Sequence, residues 1–125
     1  AHPIRIQEDG AVTFFAELPD GARIAQMRGT VEAIVRRPAR VAHTAAEVGG
    51  FEPADIAGAL VVFCTGCMLG VGDGVLEVPA SLGAALPAVP FLGAFTFGEQ
   101  GCTLGGANHH GNMMISVLLF GGAKR

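Results

Sequence analysis

No stretch of this chain is apolar over the roughly 20 residues that a membrane helix needs, the run Gly58 to Phe63 included. The start lacks the basic-then-apolar pattern of a signal peptide. Basic residues are few, eight in all, and they form no stripe; with a net charge of −3, the electrostatic footprint of a nucleic-acid binder is missing. Arg36, Arg37 and Arg40 make the one basic cluster, and they fit the solvated face of a helix. Charge of either sign is sparse, 15% against 50% hydrophobic residues. That balance excludes a disordered tail and leaves surface for another domain or a partner subunit to cover. Cysteine is scarce too. Three residues, an odd number without scaffold spacing, argue against a disulfide framework and point to free thiols in a reducing, cytoplasmic compartment.

What is present fits one domain of 125 residues with a single core. The opening Ala1-His2-Pro3 reads as the interior of a longer protein, so the expectation is a fragment. Ala11 to Glu17 and Ala22 to Arg28 flank Leu18-Pro19-Asp20-Gly21, which predicts a hairpin. From Thr30 to Val48 the period becomes helical, with Val31, Ile34, Val35, Val41, Ala42, Ala45 and Val48 on one side. Thr30 reads as the N-cap and Gly49-Gly50 as the stop, while Pro38 kinks the helix or splits it. Gly58 to Cys64 reads as a strand covered on both faces. Gly70 to Gly74 reads as a loop, Pro79 to Leu86 as a weak helix, and Pro90 to Phe97 as a buried strand with Phe91, Phe95 and Phe97 on one face. Gly101 to Gly111 reads as a long loop, and Met113 to Phe120 as a mostly covered last strand. The order β-β-α-β-α-β-β predicts an α+β fold, a mixed and mainly antiparallel sheet with helices packed on it.

The chemistry sits at the ends of two apolar runs. Cys64-Thr65-Gly66-Cys67 closes the first and Gly98-Glu99-Gln100-Gly101 the second, and strand ends are where ligands and reactive groups gather. Cys64 and Cys67 allow three readings. As a redox pair they need a helix start beside them, and the glycine loop separates Cys67 from one. As half of a zinc site they need Cys102 and His109 or His110, which lie 35 or more residues on without a second tight pair. Otherwise Cys64 is a small buried residue at a strand end and Cys67 is incidental. Gly70-x-Gly-x-Gly74 lacks both the dinucleotide and the Walker spacing, and Asp73 repels phosphate. Glu99 could receive an amine, act as a base, or bond loop amides; no partner acid marks it as catalytic. Asn108-His109-His110-Gly111-Asn112 offers a polar rim to the same place. Ser81 and Ser116 lack a nucleophile-elbow context.

The order of these motifs resembles the C-terminal domain of FIST proteins. Gly58 to Gly66, Val89 to Glu99, and Asn112 before the last apolar strand carry the resemblance, as do His2-Pro3, Glu8-Asp9-Gly10, Leu18 to Gly21 and Met27-Arg28-Gly29. It covers nearly the whole chain. It implies one FIST C-terminal-like domain over residues 1–125, from a longer protein with an N-terminal half. It also implies a non-enzymatic sensory domain that binds a small ligand, with amino acids proposed for the family, and passes a signal to a partner. The ligand site it implies is Cys64, Thr65, Gly66, Cys67, Gly98, Glu99 and Asn112. No cofactor is expected; haem, in a nitric-oxide sensor, and zinc on Cys64, Cys67, Cys102 and His110 are the alternatives. A homo-oligomer is the remaining partner expectation. Two positions depart from the family: Cys67 stands where arginine is common, and Gly111 where a histidine is, with His110 one place earlier.

Overall fold

The computed structural model describes residues 2–102 and 105–122. Strands β1 (Pro3–Ile6) and β2 (Val12–Phe14) form an antiparallel pair. Gly10, with φ +84°, closes the turn between them. The pairing joins the first arm of the expected hairpin to the segment before it rather than to the one after. A turn does form at Pro19–Ala22, where the Ala22 N–H donates to the Pro19 carbonyl at 3.0 Å, but residues 22–28 pair with nothing as a strand. Alternation alone could not choose between the two flanking segments.

The helical segment splits where Pro38 demands it. Helix α1 (Val31–Val35) is capped by Thr30, whose hydroxyl accepts the Ala33 N–H at 3.1 Å. Helix α2 (Arg37–Gly49) restarts at Arg36, with Pro38 in its first turn, where a missing N–H costs nothing. Gly50 ends it in the left-handed conformation at φ 64°. The break resets the helical phase, so Ile34, Val35 and Ala42 are buried while Val31 and Val48 stay exposed.

The central sheet has the order β4-β3-β7. Strand β3 (Ile56–Cys64) lies in the middle, parallel to β4 (Phe91–Thr96) and antiparallel to β7 (Ile115–Gly121). Between β3 and β4 the chain crosses over through α3 (Thr65–Val71), a 3-10 stretch and α4 (Val78–Ala85), as a parallel connection requires. Strands β5 (Glu99–Cys102) and β6 (Asn108–Gly111) form a separate antiparallel hairpin. The fold is α+β, its pairings mixed and mostly antiparallel, with helices packed on the sheet.

Three expectations need correcting here. Gly70 to Gly74 is not a loop after Cys67, because a helix begins at Thr65 and a 3-10 turn continues it. Gly101 to Gly111 holds two strand segments rather than a long loop. The outer strands are also less buried than their apolarity suggests. Helices α2 and α4 cover one face, on which Ala59, Val61, Phe63 and Ile115 are buried with Leu82 and Leu86. There Phe63 meets Phe95 edge-on at 5.6 Å, a contact of about 1 kcal/mol beyond its buried area. On the opposite face Leu92, Leu118 and Phe120 are 70%, 56% and 50% exposed, and Phe97 lies past the end of β4, also exposed.

Candidate functional site

The parallel pair brings two carboxyl ends together, since Cys64 at the end of β3 stands in register with Thr96 at the end of β4. Strand β7 enters beside them, Ile115 opposite Phe63. Residues just beyond these ends therefore converge on one corner of the sheet, the place where parallel strands usually present ligands.

From β3 the chain passes directly into α3. Cys64 is its N-cap, and the Cys64 sulfur accepts the Met113 N–H at 3.3 Å. One turn on, Cys67 is fully buried, and its thiol points to the Met113 sulfur at 4.0 Å. Thr65 and Gly66 are half-buried between them. A Cβ on Gly66 would stand 3.1 Å from the Met113 sulfur and 3.4 Å from that of Cys64, so glycine makes room for both. Met113 itself holds φ +58°, a conformation costly for a side-chain-bearing residue and seen chiefly where surroundings enforce it.

From β4 the chain turns through Gly98, at φ +74°, into Glu99. The His110 imidazole lies 3.7 Å from where a Gly98 Cβ would be. Glu99 is 2% exposed. Its Oε1 accepts the Thr96 hydroxyl at 2.8 Å, whereas Oε2 is buried with no partner among the described residues. Such an orphan oxygen costs about 1–3 kcal/mol, more when the group is charged. Gly98 and Glu99 follow β4 where it ends beside Cys64, and half-buried Asn112 precedes Met113 at the same corner.

Sequence reasoning missed two contributors. Arg37, placed with the solvated arginines, turns inward, and its Nη1 donates to the Met113 carbonyl at 2.9 Å. Its neighbours do stay outside: Arg36 pairs with Glu32 at 3.1 Å, and Arg40 bonds the exposed Ala33 carbonyl. The signal was Pro38, since a helix restarting there puts Arg37 in its first turn. Met113 showed no signal, because its backbone strain has no residue-type signature.

Among the described residues no three His, Cys, Asp or Glu side chains are grouped to hold a metal. The zinc set fails on placement. Cys64 and Cys67 are buried, while Cys102 is exposed, three residues along β5 from Glu99, and His109 and His110 are exposed on β6. The objection to a redox pair also falls, since Cys67 sits in the first turn of α3. Burial and then the adjacent Cys64 push the Cys67 thiol up to about 11 from 9.0, with Glu99 adding and Arg37 opposing. At neutral pH Cys67 is therefore a protonated, unreactive thiol.

That shift makes a stability prediction. With the folded pKa above the unfolded one, the contribution is complete below pH 9 and is lost between pH 9 and 11 as the unfolded thiol ionises first. The loss is on the order of 2 kcal/mol. The chain has no tyrosine to titrate in that window. Urea midpoints measured from pH 8 to 11 should fall in the parent and fall less in Cys67→Ser.

A cavity of about 220 Å³ lies elsewhere, between the sheet and α4. Val61, Phe63, Leu82, Phe91 and Phe95 line it, with no polar side chain to orient a polar ligand. The corner at Glu99 is the chemically equipped place.

Comparison with curated proteins and with solved structures returns no match. The family model of the FIST C domain matches residues 1–102. That span holds the Cys64 and Glu99 corners and Arg37, and stops before Asn112 and Met113. The chain belongs to the FIST C domain family, a sensory family of signal transduction.

Proposed function

We propose that this domain is a non-enzymatic sensor that binds a small metabolite at the corner formed by Cys64 to Cys67, Gly98, Glu99 and Asn112. The observation that supports it is the buried Oε2 of Glu99, which has no partner among the described residues. A ligand N–H, and an ammonium above all, would satisfy that oxygen with a charge-assisted bond. Arg37 lies close enough to lower the Cys67 pKa, as Glu99 lies close enough to raise it. The corner thus offers one pole of each sign. An amino acid, with its ammonium toward Glu99 and its carboxylate toward Arg37, is the ligand class that suits both. Arg37 would then supply, from α2, the guanidinium that family members commonly carry where Cys67 stands. Among the described residues no second carboxylate or activated nucleophile accompanies Glu99, which favours holding a ligand over transforming one. Occupancy would be passed to an N-terminal half or a signalling partner.

Isothermal titration of the full-length protein against amino acids, simple amines and simple carboxylates tests the reading. At least one amino acid should bind, with affinity reduced roughly 100-fold in Glu99→Gln, the size expected for loss of a charged hydrogen bond. Equal binding by parent and variant, or binding of carboxylates alone, would overturn the role given to Glu99.

A further inference from the structure

We propose that Cys64, Cys67 and Met113 form a binding site for one Cu(I) ion. The three sulfurs come from the end of β3, the first turn of α3 and the connection between β6 and β7. Met113 joins the other two: its sulfur lies 4.0 Å from the Cys67 sulfur and its N–H donates to that of Cys64 at 3.3 Å. Three sulfurs bound in a plane to one ion at about 2.3 Å stand about 4 Å apart. The corner already has that spacing between Cys67 and Met113.

The arrangement around Met113 is specific. Its left-handed backbone lets three groups of one residue serve the same corner. The N–H donates to the Cys64 sulfur, the carbonyl holds the Arg37 guanidinium, and the thioether lies over Gly66 where no Cβ intervenes. A buried core methionine needs none of this. A thioether ligand does, because a flexible side chain has to be held at the ion.

The donor set also selects the ion. Two thiolates and a thioether are soft ligands suited to Cu(I). Zn²⁺ favours four ligands of nitrogen, sulfur or carboxylate type, and no imidazole or carboxylate completes a group with the two cysteines among the described residues. Binding removes the proton of each thiol to solvent, leaving two thiolates and Cu(I) with one net negative charge. Arg37 offsets that charge, and the Met113 N–H supports the Cys64 thiolate. Half-buried Met113 and Gly66 provide the way in. The two sites share Cys64, Cys67 and Arg37, but Glu99 takes no part here, so Glu99→Gln separates this proposal from the ligand reading above.

The test uses the full-length protein, reduced and kept anaerobic, with Cys102→Ser throughout so that the exposed thiol binds nothing. Titration with Cu(I) against a chromophoric Cu(I) chelator should give one equivalent bound per chain. X-ray absorption at the copper edge should count three sulfurs. Cys67→Ser, or Cys67→Ala if serine disturbs folding by circular dichroism, should abolish the bound equivalent. Met113→Leu, which keeps the volume, should weaken it roughly 10- to 100-fold, and Glu99→Gln should leave it in place. Failure of the parent to hold Cu(I) against the chelator would overturn the proposal. So would equal retention by a Cys64→Ser/Cys67→Ser double variant, or an unchanged affinity in Met113→Leu.

Discussion

Glu99→Gln is expected to raise the stability of the ligand-free protein by roughly 1–3 kcal/mol, although it removes a native side chain from the core. Glutamine keeps the shape and leaves an oxygen for the Thr96 hydroxyl, now bonded to Oε1 at 2.8 Å. What it removes is a carboxylate oxygen buried without a partner among the described residues; the amide nitrogen put in its place is uncharged, so its burial costs less. Binding sites commonly carry such costs, because the group that lowers stability alone is the one that captures the ligand. Urea denaturation of parent and variant measures the difference. The order should reverse at saturating ligand, because only the parent gains the binding free energy. A variant less stable than the parent without ligand would mean that Oε2 is already satisfied, and the account of the site would fail with it.

Leu82→Ala should have the largest effect on stability, a loss of about 3 kcal/mol, within the usual 2–5 for such truncations. Leu82 is 2% exposed and joins α4 to the helix-covered face of the sheet. It also lines the apolar cavity, so truncation enlarges an existing void beside Phe63 and Phe95. Leu92→Ala is the matched comparison, a leucine of the same sheet on the uncovered face. Its cost should stay below about 1 kcal/mol, as for exposed positions. Equal losses at the two positions would mean that the opposite face is covered in solution.

The difference between those leucines also shows what could be read from sequence. Hydrophobic runs located β3, β4 and β7, and punctuation located the helix: Thr30 caps it, Pro38 splits it and Gly50 ends it. These signals are local, and local signals survive in one chain. Which face of β4 is covered depends on the crossover through α3 and α4, so Leu92 and Phe95 could not be ranked by hydrophobicity.

Helix α3 was obscured by Gly66 and Gly70, each unfavourable in a helix by about 1 kcal/mol. Tertiary packing overrides that preference here, and Gly66 stays glycine because the Met113 and Cys64 sulfurs occupy its side-chain space. Gly101 likewise reads as loop, yet it lies in β5, where a Cβ would meet the Ser116 hydroxyl at 3.4 Å. At the site, Glu99 stood out because a lone acid after an apolar strand is conspicuous. Arg37 and Met113 did not, since their roles follow from a helix phase and a strained dihedral.

The most direct measurement is the side-chain carboxyl resonance of Glu99, followed by ¹³C NMR while an amino acid is titrated into the full-length protein. An ammonium settling on Oε2 should shift that resonance saturably, with the dissociation constant obtained by calorimetry. A ligand that binds by calorimetry while the Glu99 carboxyl stays unmoved would contradict the placement of the site.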